Sequence, residues 1–364
     1  MSFSDIVPKH IQNIQPYKPG KPVEEVEREL GIKAVKLASN ENPLGPSPKA
    51  IEAVRRYLDN MERYPDDTTY YLRQRLAESL NVSMDQIIMG SGSSDILEMA
   101  YHSLMTPDAE VLTSEGSFIV YYLLAQTMGV RIVSAPMKDY GFNLSAMAEL
   151  LSPRTRLVLI ANPNNPTGTI VRRKEFEAFL NKVPDHALVI MDEAYFEYVG
   201  DPEYPDSFEY LRSGRAILIV RTFSKAYGLA GLRIGYGISH REVIDTLNKV
   251  RMAFNTGSLA QIAALAAWDD RDHVEKSVRS NRTELEFLYS ELSRRGIKHA
   301  PSQANFLFMD AGKPSLDVNN AMLRQGVIIR PMAGWGFPTM IRVSVGTHEQ
   351  NVRFLSALDR VLSQ

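Results

Sequence analysis

The chain has 364 residues, with 41 Lys and Arg against 43 Asp and Glu, and its formal charge of −2 gives it no bulk attraction for nucleic acid or an anionic membrane. It contains no cysteine, which excludes disulfides, thiolate metal sites and cysteine nucleophiles. At this length and with 44% hydrophobic residues it exceeds one ordinary core, so a large domain with a smaller one is expected.

The opening Met1-Ser-Phe-Ser-Asp5 has no basic segment leading into an apolar core, so no signal peptide is expected. No apolar run reaches the ~20 residues a membrane helix needs, and a cytoplasmic location is the default. Pro8, Pro16, Pro19 and Pro22 predict an extended arm over the first 40 residues that crosses to the smaller domain. From about residue 86 to residue 250, short apolar runs alternate with amphipathic stretches, the rhythm of βαβ units and a mostly parallel sheet. Strands are predicted at 110–113, 131–135, 157–161, 188–192 and 216–221, with helical stretches at 118–128 and 174–182 between them. An Ala-rich helix at 259–268 and a long charged helix at 275–295 follow. Short strands at 305–309, 327–330 and 340–345 then predict a small α+β domain. The expected division is 1–45 as N-terminal arm and part of the small domain, 46–270 as the large domain and 271–364 as the small one.

The ends of the apolar runs carry the chemistry. A short strand from residue 86 runs through Gly90-Ser-Gly-Ser-Ser94-Asp95 into a helical pattern. Glycines there let backbone amides approach an anion, and the N–H groups of a helix start attract one, so Ser93 and Ser94 sit in a turn that resembles a phosphate cradle. Taken alone, the turn equally suits an ordinary capped helix: Asp95 replaces the third glycine of a dinucleotide fingerprint, and the Lys-Ser/Thr of a Walker loop is missing. The run 157–161 breaks into Asn162-Pro-Asn-Asn165-Pro-Thr-Gly168. The run 187–191 ends in Asp192, followed by the phenol of Tyr195; a helix N-cap would also place an Asp there. The run 216–220 leads to Ser224 and Lys225. An isolated loop lysine is ordinarily solvated, but an amine at the rim of a packed sheet loses basicity and can attack a carbonyl. Ser224 and Arg233 supply a hydroxyl and a guanidinium that a phosphate would accept.

Other groups carry less. The seven histidines show no paired metal spacing, so no metal is expected. Arg172-Arg-Lys174 is too short a basic run for nucleic-acid binding. Asp269 to Asp272 suit a solvated helix end, and Tyr70-Tyr71 and Tyr121-Tyr122 either line a pocket or pack helices together.

An amine able to capture a carbonyl, a carboxylate for a pyridinium nitrogen, an amide and a phenol for a ring hydroxyl, and a phosphate cradle together describe a pyridoxal 5′-phosphate site. With these motifs stand Ala38-Ser-Asn-Glu-Asn-Pro-Leu-Gly-Pro46, Arg63-Tyr-Pro65, Asn164-Asn-Pro-Thr-Gly168, Asp192-Glu-Ala-Tyr195, Arg221-Thr-Phe-Ser-Lys-Ala-Tyr-Gly-Leu-Ala-Gly-Leu-Arg233 and Ile341-Arg-Val-Ser-Val-Gly-Thr347. In that order, across nearly the whole chain, they resemble the fold-type I aminotransferases, and the segments around Asn40 and Lys225 resemble the histidinol-phosphate aminotransferase family. The resemblance implies an α/β fold-type I architecture: a large domain whose mostly parallel sheet lies between helices, plus a smaller α+β domain. It implies a pyridoxal-phosphate-dependent step of histidine biosynthesis, in which L-histidinol phosphate and 2-oxoglutarate give imidazole-acetol phosphate and L-glutamate.

Residue by residue, the resemblance makes Lys225 the covalent anchor and proton carrier, and puts Ser93, Ser94, Ser224 and Arg233 at the cofactor phosphate. Asp192 would face the ring nitrogen, Asn165 and Tyr195 the phenolic oxygen, and Phe118 the ring face. Tyr64 would reach the cofactor phosphate of the neighbouring subunit in a homodimer. Tyr17, Asn40, Arg330 and Arg342 would meet substrate, the arginines at its anionic end. Alternatives on the same scaffold are an aromatic amino-acid aminotransferase and a threonine-phosphate decarboxylase. A non-catalytic ligand sensor would usually carry a fused DNA-binding domain, for which no segment is left over.

Overall fold

Apolar runs without polar alternation bury both faces, and here they assemble side by side. The computed structural model describes residues 2–14 and 20–363. A first short strand, β1 (Val35–Lys36), precedes a seven-stranded sheet built from β2 (Ile87–Gly90), β3 (Glu110–Ser114), β4 (Arg131–Ala135), β5 (Thr155–Ala161), β6 (Leu188–Asp192), β7 (Ile217–Thr222) and β8 (Gly235–Ile238). Their order is β2-β8-β7-β6-β5-β3-β4. β3 to β7 are mutually parallel, and β8 runs against both its neighbours. Every residue of β6 and β7 is buried. The faces alternate as a strand's period of two requires. Leu157 and Leu159 pack with Ile96, Tyr101 and Tyr121 from the helices Ser93–Leu104 and Ile119–Met128. Val158 and Ile160 pack on the other face with Phe176, Phe179 and Trp268.

In the large sheet, β8 is the strand that the predicted elements lack. Its Gly-Tyr-Gly-Ile sequence has weak strand propensity, yet close packing requires those glycines. A Cβ on Gly235 would lie 2.7 Å from the backbone nitrogen of Ser93 and 2.8 Å from the carbonyl oxygen of Arg221. Sheet and helix start therefore meet backbone to backbone.

Beyond residue 300 come β9 (Phe306–Asp310), β10 (Val327–Ile328), β11 (Arg330–Pro331) and β12 (Met340–Ser344). β11, β12 and β9 form an antiparallel sheet in that order, whereas β10 pairs in parallel with β1. The single strand predicted at 327–330 is thus two strands in different sheets, parted at Ile329. Leu288 and Leu292 of the helix Arg271–Arg294, and Phe354 and Leu358 of the helix His348–Leu362, close a second core over Leu307, Met309 and Ile341. The extended N-terminal arm also needs correction. Val23–Leu30 is a helix that buries Val26 against Ala38 and Ile328 and ends at Gly31 with φ 67°. Pro22 caps that helix and Pro8 precedes the turn Lys9–Gln12; proline's fixed φ suits a helix start as well as an extended chain.

Gly228, three residues after Lys225, has φ +71°, and a Cβ there would come within 2.3 Å of the Gly45 carbonyl oxygen. Gly228→Ala should therefore lower conformational stability by about 1–3 kcal/mol. A reduced urea midpoint at unchanged slope is the expected readout.

Candidate active site

Parallel strands that share a direction empty their loops onto one edge of the sheet. Past β2 stand Ser93 and Ser94, past β3 Phe118, past β5 Asn165, at the end of β6 Asp192, and past β7 Ser224 and Lys225. β8 enters from the same edge, so Arg233 just before it joins them. All of these, with Tyr195, Asn40, Arg330 and Arg342, line one cavity of about 300 Å³.

Asp192 is buried, 3% exposed. It accepts the hydroxyl of Tyr121 at 3.0 Å and the N–H of Ala194 at 3.3 Å. Burial pushes its carboxyl up to about 6, against the pull of those two hydrogen bonds. No α-helix starts at Asp192; the next element is the single turn Phe196–Tyr198, which has no side-chain cap. The helix-cap role is accordingly not what this carboxylate does.

Lys225 is partly buried and donates to the Ser39 carbonyl at 3.2 Å. Burial first, then the charge of Arg342, brings its amine down to about 8 from the ordinary 10.5. The Tyr195 hydroxyl accepts from Asn40 Nδ2 at 2.9 Å, and burial raises its pKa. Asn40 in turn donates its backbone N–H to Ser344 Oγ at 2.8 Å. Arg342 is buried; it donates to the Ala38 carbonyl at 2.7 Å and to the Asn165 side-chain oxygen. Across the antiparallel pair β11–β12 its register partner is Arg330, whose guanidinium lies 5.2 Å from the Trp335 ring centre.

At the other end of the cavity, Gly92 has φ +80°, and a Cβ there would lie 2.3 Å from Nη2 of Arg233. Arg233 donates to Ser224 Oγ at 3.1 Å. The helix Ser93–Leu104 has no side-chain N-cap. The acid of its first turn, Asp95, accepts instead from Ser91 N at 2.8 Å and Asn255 Nδ2 at 2.7 Å.

Tyr64 is 82% exposed, stacks on Phe254 at 4.9 Å and does not line this cavity. Tyr17 lies outside the described residues. Tyr121, which the sequence allows either to line a pocket or to pack a helix, touches Asp192. The available signal was its spacing: three residues after Phe118 on a helix puts both on one face. Among the described residues no helix is long and apolar enough to cross a membrane, and no group of three or more His, Asp and Glu could hold a metal ion.

Residues 32–358 match the family model for aminotransferase class I and II, and a chain matched over that extent belongs to the class I and II aminotransferases. Within them it stands among the histidinol-phosphate aminotransferases. Histidinol-phosphate aminotransferase 1 of Nitrosococcus oceani is 46% identical over 363 residues, covering 100% of this chain and 98% of the relative. The Moorella thermoacetica histidinol-phosphate aminotransferase is 46% identical over 355 residues, covering 97% and 92%. Among solved structures, histidinol-phosphate aminotransferase from Sinorhizobium meliloti in complex with pyridoxal-5′-phosphate superposes with a TM-score of 0.91 at 28% identity, covering 100% of this chain and 98% of that one. Aspartate aminotransferase from Thermotoga maritima, at 23% identity and a TM-score of 0.86, shares the fold.

The lowered amine makes a prediction. A lysine whose pKa is depressed to about 8 becomes neutral, and so nucleophilic, as pH rises through 8. In the cofactor-free protein, the rate of reductive alkylation of Lys225 by a small aldehyde, followed by peptide mapping, should climb between pH 7 and pH 9 and then level off, while exposed lysines keep accelerating towards their ordinary range, about 10.4.

Proposed function

We propose that this cavity holds pyridoxal 5′-phosphate and moves the amino group of L-histidinol phosphate to 2-oxoglutarate, giving imidazole-acetol phosphate and L-glutamate in histidine biosynthesis, a cytoplasmic step. The observation that carries the reading is that one cavity gathers the Lys225 amine, the Asp192 carboxylate and the facing Arg330–Arg342 pair. The relatives' shared name favours this reaction over the aromatic aminotransferase and threonine-phosphate decarboxylase alternatives.

The residues present fit the cofactor. Gly92 leaves open the space beside Arg233 that any side chain would fill, and the uncapped first turn of Ser93–Leu104 turns N–H groups towards an anion. Ser93, Ser94, Ser224 and Arg233 would hold the phosphate, and Lys225 the cofactor's reactive carbon. When bound, the cofactor supplies an electron-poor ring that accepts the negative charge left on the substrate carbon. Asp192 would keep the proton on the ring nitrogen: at ~4 Å and an effective dielectric near 20, such a pair is worth roughly 4 kcal/mol. Asn165 and Tyr195 would hold the phenolic oxygen, and Phe118 would pack on the ring. The Lys225 amine, neutral above about pH 8, takes the proton from the substrate carbon and returns it.

Like charges directly opposite across an antiparallel pair are costly, and an anion shared between them offsets that cost. A phosphate dianion with three acceptor oxygens suits two guanidinium forks, and L-histidinol phosphate has no α-carboxylate to compete for them. Asn40 and Tyr17 complete the proposed substrate contacts. Arg342→Ala should cut kcat/KM for histidinol phosphate and for glutamate at least about tenfold, since losing a buried ionic partner typically costs about 2–5 kcal/mol. Arg330→Ala should harm histidinol phosphate more than phenylalanine. Equal losses would remove the phosphate role, and a wild-type preference for phenylalanine would restore the aromatic reading.

The working unit in this reading is a homodimer. Met61, Tyr64, Met252 and Phe254 are exposed, and the Tyr64–Phe254 stack and the Arg251–Asp67 ion pair draw their two segments together. Such an apolar surface suits a second copy, into whose cavity Tyr64 would reach. Mixed dimers of Tyr64→Ala and Lys225→Ala subunits should regain one site assembled from the intact halves, whereas neither parent shows full activity. Failure to recover on subunit exchange would confine Tyr64 to its own subunit.

A further inference from the structure

Tyr121 is fully buried on the helix Ile119–Met128. Its hydroxyl donates to Oδ2 of Asp192 at 3.0 Å, while Oδ1 accepts the Ala194 N–H at 3.3 Å. The two carboxylate oxygens are therefore unequal: a buried phenol engages one, and the other has the longer, weaker bond. The phenol is itself fixed. Tyr101 donates its hydroxyl to the Tyr121 carbonyl at 2.7 Å, and the Tyr121 ring meets Phe118 edge-on, with centroids 5.7 Å apart at 85°. One helical turn thus carries both the aromatic ring of the cavity wall and the donor to its carboxylate.

We propose that Tyr121 is a positioning residue for Asp192: its O–H fixes the rotation of the carboxylate, presents Oδ1 to the cavity and holds the group as an anion where water is excluded. The inference rests on the reading of Asp192 as the carboxylate that faces the cofactor ring. A phenol that only filled space would act equally well as phenylalanine, and the 3.0 Å hydrogen bond argues against that.

The groups facing Asp192 set the direction of the effect. They are Tyr121 from its helix, Glu193 just past the end of β6, Lys225 from beyond β7, and Tyr195 and Tyr204 further along the chain. Burial and Glu193 favour the protonated acid; Tyr121, the Ala194 N–H and Lys225 favour the anion. Removing the Tyr121 donor takes away the largest of the anion's supports, so the carboxyl must titrate at higher pH than before and more of it is protonated at neutrality.

The test is Tyr121→Phe in the full chain. The protonated-carboxyl infrared band of Asp192, identified by its loss in Asp192→Asn, is titrated in the cofactor-free protein, and kcat is followed against pH in the holoenzyme. Proton affinity at Asp192 should rise at least about tenfold, as expected for a lost hydrogen bond to a charged group. The acid limb of the kcat profile should move to higher pH with KM little changed, and Tyr121→Phe should add nothing to Asp192→Asn. An unmoved infrared titration in folded Tyr121→Phe, or an equal loss in both backgrounds, overturns the proposal. Should Tyr121→Phe not fold, 3-fluorotyrosine at position 121 keeps the ring and strengthens the donor; it must lower the Asp192 midpoint, and no movement overturns the idea. If Asp192→Asn itself leaves turnover intact, the cofactor-site reading falls. A costly Asp192→Asn beside an unmoved titration removes Tyr121 alone.

Discussion

Burial of an amine among other cations in one small cavity is the constraint on which the rest depends. Lys225, Arg233, Arg330 and Arg342 all line it, with Asp192 as their buried counter-charge and Glu41 acting from nearby. Burial lowers the Lys225 amine most, the guanidiniums of Arg342 and Arg233 lower it further, and the same cations make the cavity electropositive. Both consequences suit the proposed chemistry, since a less basic amine attacks carbonyls and an electropositive cleft favours anions.

The site is completed where two cores meet. Residues 38–42 run between the large sheet and the small one and are stitched to both. Ala38 accepts from Arg342, Asn40 bonds Tyr195 and Ser344, Asn305 donates to the Asn40 carbonyl at 3.0 Å, and Asn42 donates to the Ala226 carbonyl at 2.9 Å. Tyr195, Ala226, Ala304 and Phe306 share one apolar cluster behind this strap. Buried amides at these positions spend their hydrogen bonds on joining the cores, so the distance from the cavity's arginines Arg330 and Arg342 to the Lys225 amine is set by packing and not by a loop's average position.

The parallel strands were legible because doubly buried strands are written as unbroken apolar runs, and Asn165, Asp192 and Lys225 were legible as the polar residues that end three of them. β8 was not, since its glycines are explained by what approaches them, the Ser93 and Arg221 backbones, and that is a property of the fold. The helix Val23–Leu30 was hidden by prolines that allow two backbone outcomes, although Val23, Val26 and Leu30 carry its spacing. The break at Ile329 depends on which strand each half pairs with. Tyr121 and Asp192 are separated by 71 residues, and no local pattern announces a contact made by folding.

The connection from β7 to β8 holds one more consequence. Ser224, Lys225 and Arg233 all lie on it, Gly228 pins it against Gly45, and its two ends are hydrogen-bonded neighbours in the sheet, with Thr222 opposite Gly235. The amine and the guanidinium therefore belong to a single clamped turn. In the proposed reading that turn would act as a gauge: a molecule joined to the first and gripped by the second would be measured along its own length, and one shorter or longer by a bond or two would meet only one of them. A single residue inserted between Lys225 and Arg233 would reset the gauge while leaving every chemical group in place.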